Sequence, residues 1–154
     1  MVGVFLAPDG NNKAQVEKMT TKAISAGEKN KFSNLERNSA WTALQSTTMK
    51  SLQYPLPALT LSSTECTKIM WNALKRVLPK CGINRRIPRS ILYGSTSRQG
   101  FGVKDLHLLQ GIHHITDIVD HSYKKSITGH LIQDSLEHLK LELGMNGSIF
   151  EKKV

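Results

Sequence analysis

The middle of this 154-residue chain lacks acid: between Cys66 and Lys104 there is no aspartate and no glutamate. Cysteine is nearly as scarce. Cys66 and Cys81 are the only two, and without a second pair they cannot complete a zinc ribbon. Such sparse usage fits a reducing interior, so an intracellular location, nucleus or cytoplasm, is expected. No apolar run approaches the roughly 20 residues that a membrane span requires. Met1 to Ala7 is apolar in part, but no basic segment precedes it and Pro8-Asp9-Gly10 interrupts it. That argues against a signal peptide and against a membrane partner. No internal repeat and no low-complexity tract is visible.

What is present is an ordinary globular composition, 39% hydrophobic and 21% charged, with an uneven charge. The formal net charge is +9. Residues 1–65 hold seven bases and five acids, and residues 105–154 hold five bases and seven acids. Residues 66–104 hold nine bases and no acid, so the whole excess belongs to that segment. A segment without carboxylates and richer in Arg than Lys points to a polyanion, because the planar guanidinium fork matches phosphate oxygens. Nucleic acid is therefore the expected partner, ahead of an anionic membrane.

Periodicity and punctuation predict an all-α fold of about five helices after a short strand or extended lead-in over residues 1–10. The first helix is expected over residues 13–28, with Gly27 weakening its end. A capping box, Ser33-Asn34-Leu35-Glu36, predicts a second over 34–54, stopped by Pro55, with Trp41, Leu44, Thr48 and Leu52 on one face. A second box, Ser62-Ser63-Thr64-Glu65, opens the third, with Ile69, Met70, Ala73, Leu74, Val77 and Leu78 inward and Pro79 and Gly82 ending it. Asn84 to Arg89 reads as a basic turn, Ser90 to Tyr93 as a short helix or strand, and Gly94 to Gly102 as a flexible polar loop. The fourth helix, from about Asp105 to Asp120, is expected to bury Leu106, Leu109, Ile112, Ile115 and Val119. The fifth, Ser126 to Leu143, is expected to bury Leu131, Ile132, Leu136, Leu139 and Leu143 and to stop at Gly144. One helical domain over 11–144 and a frayed tail over 145–154 complete the expectation.

The candidate nucleic-acid contacts are Lys75, Lys80, Arg85, Arg86, Arg89 and Arg98, set along the third helix, the basic turn and the loop. Four to six such phosphate contacts predict that log K falls against log salt with a slope of about −4 to −5. The glycine loop lacks the Gly-Lys-Ser/Thr ending of a P-loop and reads as a structural turn. All six histidines fall in residues 105–154, and His113-Asp117-His121 and His130-Asp134-His138 place possible metal ligands four residues apart. Neither triplet has the Glu-x-x-His arrangement or a cysteine, so solvated helix faces are expected and no metal site. No serine stands in a Gly-x-Ser-x-Gly elbow, and no catalytic residue is expected. Trp41 and Trp71 read as core or interface residues rather than base-stacking platforms.

Several short motifs occur in a telling order. Val2-Gly3-Val4-x-Leu6-Ala7-Pro8-Asp9-Gly10 is followed by Thr47-Thr48-Met49 and Tyr54-Pro55-Leu56. Then come Leu78-Pro79-Lys80-Cys81-Gly82-Ile83-Asn84-Arg85 with Pro88-Arg89, and Tyr93-Gly94 with Gly100-Phe101-Gly102-Val103-x-Asp105-Leu106. Gln110-Gly111-Ile112-x-His114-Ile115 closes the series. Together they resemble the region downstream of the catalytic palm in non-LTR (LINE-like) retrotransposon reverse transcriptases, the thumb and its C-terminal helical extension. The resemblance spans residues 2 to about 144. Val2 stands where that family commonly has leucine, and Gly100-Phe101-Gly102 is thinner in glycine than the family's loop.

The resemblance implies a fragment that grips RNA or RNA–DNA duplex beside a palm, as part of an RNA-directed DNA polymerase. The family's Tyr-x-Asp-Asp pair, which holds two Mg²⁺ ions for phosphoryl transfer, lies upstream of this region, and the chain contains no Asp-Asp. No catalytic residue and no cofactor are therefore expected here, since Mg²⁺ would belong to the palm. The alternative expectation is a helical protein–protein interaction module with no nucleic-acid role, whose apolar N-terminal face packs on a partner.

Overall fold

The structure is a computed structural model that describes residues 3–5, 7–122 and 124–147. The described residues form helices joined by turns, with no strand among them, as an all-α fold requires. Of the lead-in, Met1, Val2 and Leu6 lie outside the described residues. Phe5 N donates to the buried Gln15 Oε1 at 2.9 Å. Of the expected tail, only residues 145–147 are described.

Helix α1 (Lys13–Phe32) is followed by α2 (Arg37–Ala43), which runs through a π-helical stretch (Leu44–Met49) into α3 (Lys50–Gln53). A 3₁₀ turn (Leu56–Ala58) leads to α4 (Ser63–Val77), and then come the short α5 (Arg89–Tyr93), α6 (Leu106–Ser122) and α7 (Ile127–Leu143). Contacts divide the chain into two compact units, Met1–Ile112 and His113–Val154.

The two capping boxes have different fates. At α4 both reciprocal bonds form: Glu65 N donates to Ser62 Oγ at 3.3 Å, and Ser62 N donates to Glu65 Oε2 at 2.9 Å. Ser62 Oγ also donates to Glu65 Oε2 at 2.7 Å, and this bond, followed by that from Ser62 N, holds the Glu65 carboxyl below its usual range. The box at Ser33 does not form. Helix α1 continues to Phe32, Ser33 Oγ donates back to Asn30 O at 2.6 Å, and the next helix starts only at Arg37. The cause is Asn30, buried at the end of α1, whose Nδ2 donates to Ala40 O at 2.9 Å. That long-range bond keeps α1 helical past Gly27. Gly27 itself is a contact point: a Cβ there would lie 3.0 Å from Arg76 Cδ and 3.3 Å from Ala73 O, so glycine lets α1 press onto α4.

The core of the first unit is built from the stripe expected on α4, with Ile69, Met70, Ala73, Leu74, Val77 and Leu78 all buried. Leu44, Leu52 and Leu56 close over it, with Met19 and Ala23 from α1. Each large aliphatic side chain buried in this way contributes about 1.5–3 kcal/mol. Leu106, at the start of α6, belongs to the same cluster. Gln110 secures that helix, because its Oε1 accepts from Leu61 N at 3.0 Å and its Nε2 donates to Leu61 O at 3.1 Å.

The apolar faces expected to be buried on α6 and α7 are largely exposed. Ile115 is 64% exposed and Leu131 61%, and Ile112, Val119 and Leu143 are exposed as well. Between α6 and α7, Lys124 N donates to His121 O at 3.0 Å. Ser126 Oγ caps α7 by accepting from Gly129 N at 3.1 Å, and Gly144 ends it in a left-handed conformation. Two helices alone have too little surface to cover their own apolar stripes.

Candidate nucleic-acid interface

The basic turn is fixed by local hydrogen bonds. Leaving α4, the chain turns at Gly82, and Ile83 N donates to Leu78 O at 2.9 Å. Asn84 then builds the next turn: Ile87 N donates to Asn84 O at 3.2 Å and Arg86 N to Asn84 Oδ1 at 2.8 Å. An asparagine that bonds its own backbone two residues on is a standard way to open a turn. Arg85 and Arg86 occupy the two central positions and are exposed, while Ile87 packs back on the core. Pro88 sets up α5, which starts with Arg89.

A cleft of about 610 Å³ lies between this turn, α5 and α4. Arg85, Arg86, Arg89 and Lys68 line it, and no carboxylate does. Its apolar wall consists of Trp71, Leu74, Ile87, Leu92 and Tyr93. Ser63, Thr64 and Thr67 supply hydroxyls from the first turns of α4. Burial raises the pKa of the Tyr93 phenol, as does Asp105, with Arg89 acting in the opposite sense. Tyr93 is therefore a neutral hydroxyl at physiological pH.

The six sequence-predicted contacts are not all brought together. Arg85, Arg86 and Arg89 meet in the cleft. At about 100° per residue, Lys75 shares the α4 face of Thr64, Lys68 and Trp71, one turn or about 5.4 Å beyond the indole. Lys80 is turned elsewhere, its Nζ donating to Ser33 O at 3.0 Å. Arg98 lines a separate depression with Ser90, Ile91 and Gly94. The short α5 turns Arg89 and Leu92 toward one concavity and Ser90 and Ile91 toward the other. Of the remaining bases in the segment, Arg76 pairs with Glu28 at 3.6 Å and Lys104 lines a third depression beside Trp41.

Two contributors escaped the sequence reading, Lys68 and Trp71. Their signal was helical phase: both fall off the buried stripe of α4, on the face that carries Lys75. Trp41 behaves as expected, packing on the core edge-on to Phe101 with ring centroids 5.6 Å apart. Trp71 is not a core residue, being 43% exposed in the cleft.

The glycine loop is a closed structural turn. Gly102 N donates to Gly94 O at 2.8 Å, Gly100 N to Ser95 O at 2.9 Å, and Phe101 N to Ile91 O at 2.9 Å. A Cβ on Gly100 would lie 2.2 Å from Gly94 O, so the loop closes only with glycine there. These bonds hold Phe101 under Trp41 and the loop against α5.

Among the described residues the remaining titratable groups show no comparable gathering. Burial, with Asp105 and Glu65 adding, pushes the Cys66 thiol up to about 11, and burial also raises Cys81. Both thiols stay protonated and unreactive at neutral pH. Among the described residues no group of three His, Cys, Asp or Glu side chains is placed to hold a metal ion. His138 instead lies 3.5 Å from Glu142, and His121 Nδ1 is buried with no hydrogen-bond partner among the described residues. No described helix is long and apolar enough to cross a membrane.

No protein-family model matches the chain, and neither a curated protein nor a solved structure matches it.

Proposed function

We propose that the chain is a nucleic-acid-binding part of a non-LTR retrotransposon reverse transcriptase, a thumb-like grip on the primer–template backbone that is catalytically incomplete alone. One observation carries the nucleic-acid reading: four cations from two separate stretches, Lys68 and Arg85–Arg89, converge on one cleft with no carboxylate in its lining. Four like charges placed together repel, so the arrangement is relieved by a polyanion. The motif order supports the reverse transcriptase reading, because Arg85, Arg89 and Tyr93, which stand in those motifs, also line the cleft. Asn84-Arg85 and Pro88-Arg89 form the basic turn, and Tyr93-Gly94 and Gly100-Phe101-Gly102 form the turn behind α5. The partner is RNA or RNA–DNA duplex, with the palm as a protein neighbour.

Filter binding to an RNA–DNA duplex across a salt series tests this. Four phosphate contacts predict a log K against log salt slope of about −3.6. Absence of binding at low salt would defeat the proposal.

A second reading, a helical protein–protein interaction module, is favoured by the exposed Ile115, Val119, Leu131 and Leu143. These residues lie on α6 and α7 rather than at the N-terminus. Ile115 and Val119 stand one helical turn apart on α6, and exposed aliphatic side chains that gather on one face mark docking surfaces. Sedimentation together with binding of a hydrophobic dye tests it, and a monomer that leaves the dye dark would rule it out.

A further inference from the structure

We infer that the cleft binds an unpaired nucleotide of a nucleic-acid strand, the base stacked on Trp71 and the flanking phosphates on Arg85, Arg86 and Arg89. This deepens the nucleic-acid reading and rests on it. A duplex backbone needs only surface cations. It presents phosphates and sugars outward and gives an aromatic side chain nothing to stack on. This cleft offers more than cations. Its volume of about 610 Å³ falls in the range of roughly 300–1,000 Å³ typical of pockets for small organic groups.

The floor is apolar, with Leu74 and Leu92 buried beneath it, and the indole of Trp71 stands 43% exposed at its edge. An exposed indole amid four cations is ill-suited to an apolar ligand, which would leave the cations without counter-charge. It is equally ill-suited to a bare anion, which would leave the indole in water. A nucleotide satisfies both, since every base has a π-face and every link carries a phosphate. Thr64, Thr67 and Tyr93 add hydroxyls that donate to or accept from base edges and sugar oxygens. Lys75, one helical turn beyond Trp71 on the same face, continues the positive track for the next phosphate.

Position on α4 makes Trp71 a rigid platform. Met70 and Leu74 on either side of it in sequence are anchored in the core. An unpaired base therefore meets an aromatic side chain whose backbone is already fixed, which lowers the ordering cost of binding.

Fluorescence anisotropy on the full chain tests the inference with three labelled probes: a single-stranded RNA 12-mer, a 12-mer of the same backbone with every base removed, and a blunt RNA–DNA duplex. The base-bearing strand is expected to bind more tightly than the other two. Trp71→Ala should weaken that strand about 5- to 100-fold and leave the base-free strand unchanged, and Trp71→Phe should recover most of the loss. In a Trp41→Phe background, tryptophan emission should be quenched by the RNA strand and not by the base-free one.

If the base-bearing and base-free strands bind equally and Trp71→Ala affects neither, the stacking assignment fails while the electrostatic grip survives. If none of the three probes binds at low salt, the nucleic-acid reading fails with it. A free nucleoside monophosphate that displaces the strand at equal concentration would overturn the assignment of a strand and point to a mononucleotide site.

Discussion

The helices of the two units carry similar apolar periodicity with opposite outcomes. On α4, in the unit Met1–Ile112, the stripe Ile69, Met70, Ala73, Leu74, Val77, Leu78 is sealed by side chains from α1, α3 and α6. On the parts of α6 and α7 within His113–Val154, Ile115, Val119, Leu131 and Leu143 stand in solvent. Spacing fixes which side of a helix is apolar, and the number of neighbouring elements fixes whether that side is covered. The first unit brings several helices to one core and can afford a rigid basic cleft on its outside. Among its described residues the second has a helix pair.

Substitutions that delete the same atoms in each unit sharpen this contrast most. Leu74→Ala should cost about 2–5 kcal/mol, since the lost side chain leaves a cavity in a packed core. Leu131→Ala, at an exposed position, should stay within about 0.5 kcal/mol. Urea denaturation followed by tryptophan emission reads the first unit, because both tryptophans lie in it, and far-UV circular dichroism reads the helices of both units. Equal costs would show that α7 is packed as firmly as α4.

Gln110→Leu is next in size. It removes both bonds to Leu61 and leaves a buried amide and carbonyl unpaired, which predicts a loss of about 2–3 kcal/mol. Hydrogen exchange at Leu61 should accelerate in the variant, and an unchanged rate would mean that α6 is held by Leu106 alone.

The two capping sequences give a smaller comparison. Ser62→Ala should cost about 1 kcal/mol through the lost cap of α4. Ser33→Ala should cost only a fraction of that, since its hydroxyl closes the end of α1 rather than opening a helix. Thermal melts of the pair check the order.

The smallest effect, absent at neutral pH, concerns Cys66. Its thiol ionises near 11 when folded against an ordinary value of 9, so the unfolded chain loses its proton first. Stability should be level below about pH 9 and fall as pH rises toward about 11. In Cys66→Ala this part of the alkaline decline should vanish, and a decline identical to the parent's would assign it to other groups.

How far these features were legible depended on the range of the interactions behind them. The box at Ser62, the stop at Gly144 and the Asn84 turn are local, closed within a few residues, and they follow the sequence. The box at Ser33 has the same local pattern but loses to Asn30, whose partner Ala40 is ten residues away. The convergence of Arg85, Arg86 and Arg89 was legible as charge clustering, whereas the diversion of Lys80 to Ser33 O, 47 residues away, was not. Trp71 was legible in principle from helical phase. The exposure of Ile115 and Leu131 was not, because no pattern within a helix states what lies opposite it.

The most direct test of the account is the salt dependence of strand and duplex binding by the wild type and by the triple variant Arg85→Gln, Arg86→Gln, Arg89→Gln. Loss of three phosphate contacts predicts a duplex slope shallower by about 2.7, with weaker binding at every salt concentration. An unchanged slope in the folded triple variant would place the nucleic acid away from the cleft and contradict the account.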